Sequence, residues 1–290
     1  DIKHIGDDMR ALKPTYVPAV PRIWEGVYNK IIGNVKKAGK EPVFNKFKTA
    51  ALKYNHFVSM FTGKEKLPLG RNAVSALVAR LVGLLGALVW FLPKKLGDVL
   101  VFKKVLAATG GNLKASLSGG GALPSYIDDF FRAIGVRILE GYGLTETSPV
   151  LSVRRMERLI PGTVGPLIAG TEYKLIDLEG RDVTRIPGAK GTLHVRGPQV
   201  MQGYYKNPKK TAEVLTPDGW FNTGDLVVMN YSGEISIVGR SKDTLVLVGG
   251  ENVEPTPIEE KLKESEYIDH VMLVSRAFGE DQKVLGGLIV

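Results

Sequence analysis

The sequence predicts an α/β protein. It comprises part of a large N-terminal domain, with a parallel βαβ body and a small antiparallel β subdomain, and then the start of a small α+β C-terminal domain. Three observations carry this prediction. From Lys114 the chain runs strand, glycine turn, helix, strand; from Gly162 to Ile237 it breaks into short alternating strands separated by Gly, Pro and Asp turns; beyond Gly239 it runs strand, glycine turn, helix and two further strands. At 290 residues the chain is long enough for a full α/β core and a second, smaller unit.

The first 110 residues read as mostly helical. "VPRIWEGVYNKIIGNVKKAG" sets Ile23, Val27, Ile31 and Val35 four residues apart on one stripe, with Pro21 to start a helix and Gly39 to end it. "FNKFKTAALKYNHFVSMF" continues the helical pattern, and "GKEKLPLG" reads as a loop. The apolar run "LVARLVGLLGALVWFLP", Leu77 to Pro93, contains Arg80, Gly83 and Gly86 and falls short of the roughly 20 apolar residues of a membrane span. It reads first as a buried helix. The alternative is a helix lying on a membrane surface, with peripheral contact through residues 77–95, because Trp90, Phe91, Lys94 and Lys95 suit an interface.

"LKASLSGGG" is then a strand entering a glycine turn, "LPSYIDDFFRAIG" a helix closed by Gly135, and "VRILEGYG" a second strand. Ligand crevices of parallel sheets lie at the carboxyl ends of their strands. Both glycine stretches, Ser118–Gly121 and Gly141–Gly143, fall at such ends and are expected side by side. "TEYKLIDLEG", "GTLHVRG" and "GEISIVG" are strands of the antiparallel subdomain, residues 161–240 within a domain of residues 1–240. Residues 241–290 form the second domain. There "RSKDTLVLVGGENVEPTPIEEKLKES" is a linker, strand, glycine turn and helix from near Pro257, and "HVMLVSRAF" and "KVLGGLIV" are two more strands.

Cysteine is absent, which excludes disulfides, thiolate metal sites and cysteine nucleophiles, and fits a reducing compartment. The net charge of +9 is uneven: residues 1–110 hold 19 Lys and Arg against 7 Asp and Glu, residues 111–290 hold 20 against 23. Such a basic half suits anionic lipid, nucleic acid or a phosphorylated cofactor. The basic tract Asn34–Lys40 lacks interleaved aromatics, and no recognised nucleic-acid module occurs, so no nucleic acid partner is expected. Asp1-Ile2-Lys3-His4 is polar, so the opening residues are not expected to be a signal peptide. The expected location is cytoplasmic, with a peripheral position on the inner face of a membrane as its variant.

The chemistry concentrates in "EGYGLTETSP", Glu140 to Pro149. Gly141 and Gly143 let backbone approach a flat ligand, and Tyr142 can stack on a nucleobase. Thr145 and Thr147 offer hydroxyls to phosphate oxygens, and Glu146 offers the hard oxygen Mg²⁺ prefers. In "DGWFNTGDL" Asp225 follows a Thr-Gly turn and can accept both ribose hydroxyls. "VGRSKDTLVLVGGENVEP" opens on Arg240, a fork donor for ribose or phosphate oxygens. Rival motifs fail. Glu146 stands where a dinucleotide fingerprint needs its third glycine, "GNVKKAGK" has the wrong spacing for a Walker loop, and no Gly-x-Ser-x-Gly occurs. His4, His56, His194 and His270 show no metal-ligand spacing.

The ordered set "EGYGLTETSP", "GWFNTGD" and "GRSKDTLVLVGGENVEPTPIEE" resembles the acyl-adenylate-forming superfamily of acyl-CoA synthetases, luciferases and peptide-synthetase adenylation domains. Within it, "LKPTYVPAVPRIWE", "LVFKKVLAATGGNLKASLSGGGALP" and "GPQVMQGYYKNPKKT" are similar to the long-chain fatty acid–CoA ligases. The resemblance covers essentially the whole chain and implies a two-step reaction. ATP and a long-chain fatty acid give an acyl-adenylate and pyrophosphate, and coenzyme A then takes the acyl group as a thioester. It further implies that Gly119, Gly120 and Gly121 border the adenine, that Tyr142 between Gly141 and Gly143 stacks on it, and that Thr145 contacts phosphate. Glu146 would ligate Mg²⁺, Thr145 and Glu146 being the catalytic pair, and Asp225 would hold the ribose hydroxyls with Arg240 assisting. Lys242 would be the hinge of a mobile C-terminal domain, and Gly249 and Gly250 the loop bordering the pantetheine of CoA.

A carboxylate attacking phosphorus meets like-charge repulsion, so such catalysis neutralises and positions; the lack of a candidate histidine base is consistent. The family's Ser/Thr/Gly-rich phosphate loop and its C-terminal catalytic lysine have no counterpart here, so the 290-residue chain alone is expected to bind adenylate weakly and to ligate poorly. Two alternatives stay open: an adenylate-forming ligase for another acid or a carrier-protein loader, and a membrane-associated module with an inactive nucleotide site.

Overall fold

The computed structural model describes residues 4–290 except 65–72, 108, 231, 248–250, 266, 269 and 279–281. The chain divides into two compact units, one of Asp1–Tyr142 with Val153–Gly165, the other of Gly143–Ser152 with Pro166–Val290. It is a mixed α/β protein with two parallel and several antiparallel strand pairings among the described residues.

The first unit opens with α1 (Ile5–Leu12), β1 (Tyr16–Ala19), α2 (Pro21–Lys37), α3 (Glu41–Thr62) and α4 (Ala73–Gly97). A π-helical turn (Asp98–Phe102) and α5 (Lys103–Ala107) lead into β2 (Ala115–Ser118), α6 (Ser125–Ala133) and β3 (Arg137–Gly143). Pro21 occupies the first position of α2, where its fixed φ suits a helix start. Beyond the helix Gly39 takes φ +63, and its N–H reaches the Lys36 carbonyl at 2.9 Å. The buried stripe is Pro21, Trp24, Val27 and Ile31, so Trp24 takes the core position that the four-residue spacing gave to Ile23. Trp24 meets Phe131 of α6 edge-on at 5.3 Å, and Phe44, Phe102, Ile127 and Phe130 complete the centre of this core. Burying each such side chain is worth about 1.5–3 kcal/mol.

Strands β1, β2 and β3 are parallel, with Tyr16 opposite Ala115 and Ser118 opposite Glu140. The βαβ order of β2, α6 and β3 matches the sequence expectation, and β1 was not anticipated. Its Pro18 argues against a strand, yet β1 pairs on one side with β2 and tolerates a residue without an N–H.

Helix α4 departs from the expectation of a buried helix. Leu77, Leu81, Leu85, Leu88 and Leu92 are exposed, and only 11% of its most apolar window is buried. Its inner face packs on α3 closely, because a Cβ at Gly86 would overlap the Phe57 ring and one at Gly83 the backbone of Phe57 and Phe61. Tyr54 lies 6.2 Å from Phe91, and Lys53 Nζ sits 4.5 Å over the Trp90 ring. The run is apolar on both faces and has a partner on one. The helical stretch Val74–Ala107 is long and apolar enough to cross a membrane by length and composition. Of the expected loop "GKEKLPLG", only Gly63 and Lys64 fall within the described residues.

In the second unit β4 (Val150–Val153), β5 (Glu172–Ile176) and β6 (Lys190–Arg196) precede α7 (Pro208–Val214), β7 (Phe221–Met229) and β8 (Ile235–Arg240). Then come β9 (Leu245–Val246), β10 (Asn252–Val253), α8 (Pro255–Leu262), β11 (Val271–Phe278) and β12 (Gln282–Ile289). Strands β5 to β8 form an antiparallel meander in chain order, closed over Leu175, Leu193, Val195, Phe221, Leu226 and Val227. Helix α8 begins at Pro255, two residues before the expected Pro257, because Pro255 itself takes the first helical turn.

Candidate functional site

In the first unit the two glycine stretches lie side by side at the carboxyl ends of β2 and β3. A Cβ on Gly119 would stand 3.5 Å from the Gly141 carbonyl, and Gly120 needs its φ of +81, which an L side chain resists. Gly121 would meet only Pro21, at 3.8 Å. Ser118, at the mouth of this loop, is 2% exposed, and its Oγ has no hydrogen-bond partner among the described residues. A buried hydroxyl left unpaired costs about 1–3 kcal/mol, which marks the loop as a place where another polar group belongs. Gly141 and Tyr142 are partly exposed.

The rest of "EGYGLTETSP" belongs to the second unit and is built as a cap. Leu144 N–H donates to Thr147 Oγ1 at 3.1 Å, and that hydroxyl lies 2.8 Å from the Pro149 carbonyl and 3.0 Å from the Leu144 carbonyl. Thr147 is wholly buried, so its hydroxyl shapes the turn and does not serve phosphate as the sequence suggested. Gly143 is likewise explained locally: a Cβ there would overlap the Pro149 carbonyl, so the loop itself requires glycine. What the turn leaves outward is Thr145, exposed, and Glu146, partly exposed.

Glu146 is held from a segment that carried no chemical signal of its own. Tyr204 donates its phenol to Glu146 Oε1 at 2.9 Å, and Met201 N–H donates to the Glu146 carbonyl at 2.8 Å. Tyr204 is placed in turn by α7. Asn207 caps that helix by accepting the Lys210 N–H at 3.0 Å, Pro208 opens it, and Thr211 Oγ1 accepts the Tyr204 N–H at 2.9 Å. Burial and then the Glu146 carboxylate raise the Tyr204 pKa, so the phenol keeps the proton it donates.

Asp225 lies inside β7 and not after a turn. Thr223 and Asp225 are buried on the strand's inner side, and Asp225 is 4% exposed. Its N–H donates to Thr223 Oγ1 at 3.1 Å, and Thr223 in turn donates to the Leu193 carbonyl at 2.8 Å. Arg240, directly opposite on β8, lays its Nε 3.1 Å from Asp225 Oδ1 while remaining 60% exposed. The register shifts between Leu226 and Val227, beside this pair, as a bulge that re-aims neighbouring side chains does. Lys242 is exposed in the turn after β8, where Asp243 N–H meets the Arg240 carbonyl at 3.0 Å. Gly249 and Gly250 lie outside the described residues.

Gly119–Gly121 with Gly141 and Tyr142 therefore lie in the first unit, and Thr145, Glu146 and the Asp225–Arg240 pair in the second, where the unanticipated Tyr204 joins Glu146. Among the described residues no group of three His, Cys, Asp or Glu is placed to hold a metal. One carboxylate suffices for Mg²⁺ when water and phosphate supply its other oxygens, and the partly exposed Glu146 could hold the ion in that way.

Residues 1–205 match the model of the AMP-binding enzyme family, and residues 242–290 match that of the AMP-binding enzyme C-terminal domain. The long-chain-fatty-acid–[acyl-carrier-protein] ligase AEE15, chloroplastic, of Arabidopsis thaliana is 38% identical over all of this chain and 41% of its own length. The long-chain-fatty-acid–CoA ligase FadD15 of Mycobacterium bovis is 33% identical over all of this chain and 42% of its own. The chain thus spans about two-fifths of the length of these relatives. Among solved structures, the ATP-bound RpMatB-BxBclM chimera B1 superposes with a TM-score of 0.56 at 27% identity, over 65% of this chain and 38% of that one. With a family match over more than half its residues and relatives that are fatty acid ligases, the chain belongs to the AMP-binding enzyme family.

Proposed function

We propose that the protein is an ATP-dependent long-chain fatty acid ligase that forms an acyl-adenylate and passes the acyl group to the thiol of coenzyme A. The observation that carries this reading is Glu146, presented by the Tyr204 phenol from a rigid cap in a chain of the AMP-binding enzyme family. A fatty acid carboxylate oxygen attacks the α-phosphorus of ATP, the bond to the β-phosphate breaks, and pyrophosphate leaves with the electron pair. The thiol sulfur then attacks the acyl carbonyl, its proton passes to solvent, and AMP leaves.

In this scheme Gly119–Gly121 border the adenine, Tyr142 stacks on it, Thr145 contacts phosphate and Asp225 holds the ribose hydroxyls with Arg240. Bound to Glu146, Mg²⁺ would supply charge neutralisation at the phosphates. Asp225 is almost covered and lies 3.1 Å from the Arg240 guanidinium, which leaves its second oxygen to a hydroxyl ligand in this scheme. Residues 241–290 act as a C-terminal domain that turns about Lys242 between the two steps. The test is fatty-acid-dependent release of pyrophosphate by the intact protein, with acids of increasing chain length. Release that follows short or aromatic acids alone would contradict the assignment.

A carrier-protein thiol is the second reading for the acceptor, favoured by the 38% identity to a ligase named for that acceptor. Offering CoA and holo acyl-carrier protein in parallel, with acyl-thioester counted on each, decides between them.

We also propose peripheral contact with an anionic lipid surface on the cytoplasmic side through residues 77–95. It is supported by the outward apolar face of α4 and by Arg80 and Lys95, both exposed, whereas Lys94 is paired with Asp98 at 2.6 Å. Replacing Leu85 and Leu88 by Glu should abolish sedimentation with anionic vesicles. Unchanged pelleting would remove the membrane from the account.

A further inference from the structure

Behind the glycine stretches of the first unit lies a buried charge cluster that no step of the reaction uses. Arg154 is 3% exposed. Its Nη1 donates to Asp128 Oδ2 at 2.9 Å, its Nη2 to Glu140 Oε2 at 2.8 Å, and its Nε to the Thr163 carbonyl. Both carboxylates are 8% exposed. Pairing alone rarely justifies burying three charges, since the cost of desolvation cancels most of the attraction. The cluster is therefore better explained by where it points.

Glu140 is the key member. Its main chain stands opposite Ser118 in the β2–β3 register, which fixes the amino-terminal end of the glycine loop. Its second oxygen, Oε1, accepts the Leu123 N–H at 3.0 Å, which fixes the other end. The segment 119–122 is thus closed at both ends by one residue, and that residue directly precedes Gly141 and Tyr142. Arg154 fixes the Glu140 carboxylate from behind, and its own N–H donates to the Glu140 carbonyl at 3.0 Å. Asp128, on α6, takes the remaining arm of the guanidinium and touches neither glycine stretch through any of these bonds.

We propose that Glu140, held by Arg154, is a positioning residue that sets the spacing of Gly119–Gly121 against Gly141–Tyr142 and so tunes affinity for the adenine nucleotide. This rests on the nucleotide reading given above. A purely structural staple would treat its two carboxylates alike, whereas a positioning role makes them unequal. Both Glu140→Gln and Asp128→Asn remove one charge from the same guanidinium, and both should lower Tm. Only Glu140 continues to the loop.

The experiment is equilibrium binding of AMP to the intact protein, with Tm measured alongside, for wild type, E140Q, D128N and Y142A. Glu140→Asp serves as a second variant: it keeps the charge on Arg154 but draws the oxygen back from the Leu123 N–H. The expected result is an AMP Kd raised about tenfold in E140Q and E140D, within about twofold of wild type in D128N, and lost in Y142A. Equal Kd changes in the Glu140 and Asp128 variants, scaling with Tm, would overturn the positioning role and leave the nucleotide reading intact. Failure of the wild type to bind AMP would overturn both.

Discussion

Replacing Tyr204 by Phe removes one oxygen and leaves the ring, so it isolates the 2.9 Å bond to Glu146 Oε1. A hydrogen bond to an ionised acceptor is worth about 1.5–3 kcal/mol when its loss leaves the acceptor bare. Here both partners are partly exposed, and water can replace the phenol. The expected cost falls to about 1 kcal/mol, or roughly fivefold in kcat/KM for Mg-ATP. Burial and Glu146 both raise the Tyr204 pKa above its ordinary value, so the wild-type phenol donates throughout the neutral range. The deficit of Y204F should therefore not vary between about pH 6 and 9. Steady-state kinetics of adenylate formation at several Mg-ATP concentrations measures it, with Tm as a control for folding. A Y204F enzyme matching wild type in kcat/KM, beside a severely impaired E146Q, would show that the phenol does not orient the carboxylate.

Three further outcomes follow from particular contacts. Gly143→Ala places a Cβ on the Pro149 carbonyl and should cost more than about 3 kcal/mol or prevent soluble expression, as denaturant unfolding will show. The Trp220 ring has Lys174 Nζ at 4.4 Å and the Arg196 guanidinium at 4.8 Å, so Trp220→Ala should lower stability by about 1 kcal/mol, or 2–4 °C in a thermal melt. Burial lowers the pKa of His194 below its ordinary value of about 6.5, so the fold prefers the neutral ring. That contribution is present above pH 6.5 and is lost as pH falls through the lower folded value; His194→Gln should flatten the Tm–pH curve in that acid window.

The strand–turn–helix–strand grammar around Ser118 and Gly143 was legible because glycine turns and apolar alternation are local properties. The antiparallel meander was legible for the same reason. Three features were not. Strand β1 was hidden by Pro18, which is tolerated by a feature of sheet position that no window of sequence contains. Asp225 sits beside Thr223-Gly224, a turn-like pair that strand pairing overrides, so its burial comes from β6 and β8 and not from its neighbours in sequence.

The exposure of α4 was the third. An apolar run reads as buried wherever its partners are unknown, and here α3 supplies only one face. The chemistry of "EGYGLTETSP" was half legible. Thr145 is exposed and Glu146 partly exposed, whereas Thr147 and Gly143 serve the turn. Tyr204 went unnoticed because an aromatic before an Asn-Pro helix start looks like packing; its phenol reaches Glu146 across 58 residues.

In the proposed reaction ATP and a fatty acid combine with loss of pyrophosphate before any thiol takes part. Exchange of labelled pyrophosphate into ATP by the intact protein isolates that step. Exchange should need a long-chain fatty acid and divalent magnesium, proceed without CoA or carrier protein, and fall by at least about a hundredfold in Glu146→Gln. Exchange that is absent without a thiol, or equally fast in the Glu146→Gln variant, would rule out this order of steps and this role for Glu146.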